Sequence, residues 1–245
     1  MKYMQRFGKK CKRLFVYIMA TVAVATHMPC SAYAQDSVSR CNIEVGSAVV
    51  GEGLIAAGSL FTFVPVLHGI CVDLRDAVQA DNHRMLGFDN YIQYLPAAMA
   101  VALGIGKGDL RNTLFTTSIS HLTGAIMVNG VKWLADVQRP DSSSFNSFPS
   151  GHTFTAVVGA ELLRRQCGED CPAIVVVGYV MAATTAFMRV YNNRHWVADL
   201  LAGAGIGVLS VDFAYWANCK IQQCLYNKKR TAKATCNDEK GYLLD

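Results

Sequence analysis

Between residues 132 and 199 three short segments present, at their motif positions, three cations, two histidines, one carboxylate and a glycine-containing turn. Lys132 is followed by Arg139-Pro140, then Pro149-Ser150-Gly151-His152, then Arg189, His195 and Asp199. These types suit attack on a phosphate ester by a histidine, with fixed cations holding the oxygens. Lys132 supplies a point charge and Arg139 a planar fork that fits phosphate oxygens. Ser150 reads as an N-cap, so the backbone N–H groups of Gly151 and His152 form an anion seat at a helix start. Asp199 stands four residues after His195. On a helix the two share a face, where a carboxylate fixes the imidazole tautomer and leaves the other nitrogen free to attack. Each segment met singly is more often structural; all three together, in this order, are not.

The elements that must position them are helices. Lys132 and Arg139, seven apart, are expected two turns apart on one helix face, with Pro140 ending that helix. An apolar helical run follows His152 as far as Leu163, and His195–Asp199 begins another. Hydrophobic residues make up 52% of the 245 and charged residues 17%, which points to a membrane protein. Apolar stretches run over residues 46–72, 91–106, 112–131, 152–163, 172–188 and 198–216. The expectation is an all-α, membrane-embedded bundle of about six helices in one domain, with the active site at one membrane face. The run Ala202-Gly203-Ala204-Gly205-Ile206-Gly207 would let helices approach closely.

Residues 1–34 read as a cleaved secretory leader: a basic start, an apolar run from Leu14 to Thr26, and Ala32-Tyr33-Ala34 before the cut. The helical domain then covers residues 35–218 and a basic, polar tail covers 219–245, unstructured from Leu225. Lys107 and Arg111, Arg164 and Arg165, and Lys220 onward fall on one side, expected to be cytoplasmic. The motifs then face the periplasm. With a cleaved leader that parity works most simply if residues 46–72, interrupted by Gly51, Gly53, Gly58 and Pro65, do not fully span; a soluble helical bundle is the other repair, and an uncleaved signal anchor the alternative to cleavage. Residues 73–90 form either an amphipathic rim to the site or a plain connector. Cys167, Cys171, Cys219 and Cys224 are expected to be reduced, and Cys41 and Cys71 are free to pair. Glu161 and Asp212, inside apolar runs, call for basic partners. No nucleic-acid motif is present, and no protein partner is implied.

The motif set resembles the type 2 phosphatidic acid phosphatase superfamily, whose pattern is Lys-x6-Arg-Pro, Pro-Ser-Gly-His and Ser-Arg-x5-His-x3-Asp. The resemblance covers roughly residues 91–216 and departs at Met188, where the family has Ser. It implies a phosphatase with His195 as nucleophile, Asp199 orienting it, and His152 as general acid and base. Lys132, Arg139, Arg189, Ser150 and Gly151 would hold the phosphate. It implies no cofactor and no metal. The expected substrate is a phosphorylated membrane lipid at the outer face of the inner membrane. Residues 88–106 and 188–196 are similar to lipid A 4′-phosphatase-like members. Undecaprenyl diphosphate and phosphatidylglycerophosphate are alternatives, as are a soluble periplasmic acid phosphatase and, more remotely, a vanadium haloperoxidase.

Overall fold

A computed structural model describes residues 44–80, 86–168 and 170–241, with side chains through 228 and at 230. The expected leader, Cys41 and the last residues of the tail lie outside this range. Among the described residues there are eight helices and no strand. In chain order they are α1 (Val45–Phe63), α2 (Pro65–Gln79), α3 (Asp89–Ile92), α4 (Leu95–Gly106), α5 (Leu110–Ala135), α6 (Gly151–Cys167), α7 (Pro172–Tyr191) and α8 (Val197–Gly241).

The count exceeds six because the first apolar stretch divides and α3 is a separate single turn. The division falls only at Pro65, which starts α2 after extended Val64. A proline removes the N–H that would continue α1 and biases the residue before it away from helix. The glycines of α1 do not interrupt it. A Cβ on Gly58 would stand 2.6 Å from the Ala198 carbonyl oxygen and 2.7 Å from the Ala202 nitrogen. Glycine here permits backbone-to-backbone approach between α1 and α8. So α1 is a continuous helix of 19 residues, long and apolar enough by length and composition to cross a membrane. The α7 helix and residues 197–228 of α8 are the two others of that kind among the described residues.

The helix α6 runs through the middle of the bundle. Phe154, Val158, Leu162 and Leu163 pack with Ala100 of α4, Val128 of α5, and Ile206 and Val211 of α8. The glycine stripe of α8 serves several neighbours: Gly203 meets the Ser150 carbonyl, and Gly205 meets α1 at Gly51. At the far end of α6, Arg164 pairs with Glu161 at 2.8 Å and Glu44 at 3.0 Å. Arg165 pairs with Glu44 at 3.1 Å and with Asp212, which also accepts from Ser47 at 2.6 Å. The expected basic partners of Glu161 and Asp212 are therefore Arg164 and Arg165. The same network fixes direction: α1 begins beside the C-terminal end of α6, remote from the motif residues at its N-terminal end.

Two further expectations change. The backbone remains helical to Gly241, so the tail is not unstructured from Leu225. Cys71 is buried with a free thiol, which removes the Cys41–Cys71 pair, and Cys219 is disulfide-bonded where a reduced thiol was expected. Cys167, Cys171 and Cys224 are free.

Candidate active site

The start of α6 is capped as its sequence predicts. Ser150 Oγ accepts from the Thr153 N–H at 3.4 Å and from the Thr153 hydroxyl at 3.0 Å. The Ser150 N–H donates to the Asp199 carbonyl at 2.9 Å, which ties the first turn of α6 to that of α8. The N–H groups of Gly151 and His152 thus open at a helix N-terminus, the positive end of its dipole.

Lys132 and Arg139 do not share a helix. α5 ends at Ala135, with Asp136 as a left-handed C-cap at φ 52°, so Lys132 sits in the last turn and Arg139 in the following loop. Lys132 Nζ donates to the Asn146 carbonyl at 2.5 Å and the Ser147 carbonyl at 3.4 Å. Arg139 Nε donates to Asn146 Oδ1 at 2.9 Å. The loop folds both cations against one short segment, where a helix would have spaced them two turns apart.

His195 and Asp199 also meet differently from expectation. His195 lies before α8 and Asp199 in its first turn. Asp199 Oδ2 lies 3.2 Å from His195 Nδ1 and accepts the Trp196 N–H at 2.9 Å. Ser147 Oγ donates to the same oxygen. The carboxylate is therefore held by the helix start and a loop hydroxyl, not by a shared helix face. His195 is only 2% exposed and Asp199 fully buried. Burial holds the His195 imidazole below its ordinary pKa, opposed by Asp199.

Arg189, in the last turn of α7, is buried and paired through Nη1 with Asp89 of α3. His152 Nε2 lies 3.0 Å from Asn90 Oδ1. Burial, then Arg189, pushes His152 down to about 4, with Asp89 opposing. Burial also pushes Lys132 down to about 8, helped by Arg139 and Arg189 and opposed by Asp199. Neighbouring cations disfavour the protonated forms of Lys132 and His152. A cavity of about 490 Å³ opens beside His152, lined also by Asn90, Tyr94, Asn129, Lys132 and Gly151. Among the described residues no group of three His, Cys, Asp or Glu is arranged to hold a metal ion.

The structure places the eight sequence-identified residues at the end of α5 and the loop after it, the start of α6, the end of α7, and just before and within the first turn of α8. Sequence reasoning missed Asp89, Asn90, Ser147 and Asn146, which have no local spacing to motif residues. For Asp89 and Asn90 the signals were the placement of residues 73–90 on the motif side and the resemblance over residues 88–106. Among the described residues of that segment, Gln79 donates to the Val190 and Tyr191 carbonyls at 3.0 and 2.8 Å. Arg75 lies over the Trp196 ring at 5.4 Å. Met188, in place of the family Ser, is buried in α7.

A buried histidine–carboxylate pair with cations around a helix N-terminus, at one end of an apolar helical bundle, is an arrangement suited to an anion in a membrane-embedded helical protein. Residues 113–222 match the PAP2 superfamily. Over 152 residues, 59% of this chain, it is 41% identical to a lipid A 1-phosphatase of Porphyromonas gingivalis. The match covers 34% of that relative, so the chain spans about one third of its length. Two crystal structures align with the chain at low scores. Aquifex aeolicus LpxE aligns at TM-score 0.48 and 21% identity, over 58% of this chain and 93% of its own. The first transmembrane PAP2 type phosphatidylglycerolphosphate phosphatase from Bacillus subtilis aligns at 0.41 and 19%, over 84% and 94%. At those scores neither carries an inference about activity.

Proposed function

We propose that the protein is a lipid phosphatase that hydrolyses a phosphate monoester of a membrane lipid, lipid A-type preferred, within a catalytic domain over residues 35–218. The observation that carries this reading is the buried His195–Asp199 pair set among Lys132, Arg139 and Arg189. His195 Nε2 donates its lone pair to phosphorus and forms an N–P bond as the P–O bond to the lipid breaks. His152 gives its proton to the departing oxygen. Water then attacks phosphorus, its proton passes to His152, the N–P bond breaks and inorganic phosphate leaves. Lys132, Arg139, Arg189 and the backbone at Ser150-Gly151 stabilise charge on the equatorial oxygens. With its pKa pushed down to about 4, His152 is uncharged at neutral pH. An anionic phosphoryl group offsets the field of Arg189 and Arg139 and favours its protonation.

Three apolar helices of membrane-crossing length favour a lipid over a soluble ester. So does an apolar stripe left on the surface of α2, where Val66, Ile70 and Leu74 recur every four residues beside the site. The name of the Porphyromonas gingivalis relative supports lipid A and its 1-phosphate, where the sequence resemblance was to 4′-phosphatase-like members. The test is phosphate release in EDTA by detergent-purified protein. The panel is bis-phosphorylated lipid A, undecaprenyl diphosphate, phosphatidylglycerophosphate and an aryl phosphate, with His195→Ala as control. The expected result is preferred turnover of lipid A at one position, lost in the variant. Release that persists in His195→Ala removes the phosphohistidine route, and preference for the aryl phosphate replaces the lipid reading.

The periplasmic orientation is supported by basic residues at the end remote from the site. Lys107 donates to the Gln166 carbonyl at 2.6 Å, beside Arg164 and Arg165. Such clusters are retained on the cytoplasmic side. A second reading, with the site facing the cytoplasm, is favoured by the disulfide of Cys219 on that same remote end. It is also the orientation in which a chain delivered by a cleaved leader reaches Glu44 without a further crossing.

A further inference from the structure

We propose that the one-turn helix α3 is the positioning element of the catalytic set, with Asp89 fixing the guanidinium of Arg189 and Asn90 fixing the imidazole of His152. The inference rests on the phosphatase reading above. α3 lies outside residues 113–222, so the superfamily match does not supply it. It is nonetheless the element whose adjacent residues each hold a different motif side chain. Asp89 is 1% exposed and accepts from Arg189 Nη1, across 100 residues of chain. Asn90 Oδ1 meets His152 Nε2 at 3.0 Å, across 62 residues.

The element itself is pinned. Asn192, just beyond α7, donates to the Leu86 carbonyl at 2.7 Å and accepts the Leu86 N–H at 3.0 Å. Its amide also reaches Asp89 Oδ1 at 3.4 Å. Gln93 Nε2 donates to the Asn90 carbonyl at 2.9 Å, fixing the other side of the turn. A side chain held on a pinned turn keeps its geometry when the ligand arrives.

The two contacts do different chemistry. A buried carboxylate beside Arg189 offsets one of three cations that would otherwise repel each other, and it orients the planar fork. Arg189 Nε has no partner among the described residues, so a donor remains for an anion. At Asn90 the amide oxygen can only accept, so His152 Nε2 carries the hydrogen and Nδ1 is left to take and give the proton. An amide does this without adding a negative charge. The charged and titratable groups acting on His152 are Arg189 from α7, Asp89 from α3, His195 before α8 and Arg139 from the loop after α5. A carboxylate in place of the Asn90 amide adds an anion to that set and favours the imidazolium.

The experiment compares wild type, Asn90→Ala and Asn90→Asp, full length in detergent, on bis-phosphorylated lipid A across pH 4.5–9. Asn90→Ala is expected to lower kcat by about 10- to 100-fold with little change in KM. Asn90→Asp keeps an acceptor and retains more activity than Ala. It also moves the alkaline limb of kcat upward by about one pH unit or more, as a nearby opposite charge does. A purely structural role would lower melting temperature and leave the pH limb in place. Wild-type kcat in Asn90→Ala, or an unmoved limb in Asn90→Asp, overturns the assignment. Absence of His195-dependent release from the wild type defeats the phosphatase reading and this inference together.

Discussion

Gly58→Ala is the sharpest probe of how the bundle supports the site. The added Cβ would lie 2.6 Å from the Ala198 oxygen, 2.7 Å from the Ala202 nitrogen and 2.9 Å from the Ala202 Cβ, against ordinary contacts of 3.4–4 Å. Two of those atoms are backbone and cannot rotate away, so α1 and α8 must separate by roughly 1 Å. α8 cannot retreat toward α6, because a Cβ at Gly203 would already stand 2.5 Å from the Ser150 oxygen. α1 therefore yields. Phe63, at its end, packs edge-on against Phe148 at 5.6 Å, next to the Ser147 that bonds Asp199. Overpacking of this kind costs about 1–3 kcal/mol, and displacement near the chemistry is expected to lower kcat by about tenfold. The assay is the thermal midpoint in detergent together with kcat on bis-phosphorylated lipid A. Gly53→Ala is the control, since nothing lies within 4 Å of its Cβ and alanine suits a helix better. A Gly58→Ala protein that melts and turns over like wild type would refute the close-approach argument.

Two other outcomes follow from charge and topology. Lys132 has its pKa pushed down to about 8, so its ammonium is present below that pH and lost above it. Inhibition by inorganic phosphate is expected to weaken as pH rises through 8, and Lys132→Arg should keep it level; a wild-type inhibition constant that does not change between pH 6.5 and 9.5 counts against Lys132 as a phosphate ligand. Cys224 is exposed on α8 at the end remote from the site. With Cys224 as the reactive thiol, a membrane-impermeant maleimide is expected to label it only after lysis if the site is periplasmic, whereas labelling in intact spheroplasts selects the cytoplasmic-facing reading.

The sequence by itself determined the start of α6 and which residue types gather near it. Ser150 caps α6 because a hydroxyl three residues before a free N–H is a local relation, needing nothing from the rest of the chain. His195 and Asp199 come together for a similar reason: four residues span few geometries, and both a helix face and a helix start bring the side chains close. Long apolar runs made α7 and α8 legible as membrane-length helices. Tertiary structure decided what depends on a neighbour. Whether a glycine interrupts a helix or lets another helix touch it cannot be read from the glycine, and in α1 Gly58 does the second because Ala198 and Ala202 lie across from it. Arg139 reaches the site through a loop folded on Asn146, not through the helix that its seven-residue spacing suggests. Asp89 and Asn90 carry no motif, and their partners Arg189 and His152 lie 100 and 62 residues away, a relation that only the packed bundle creates.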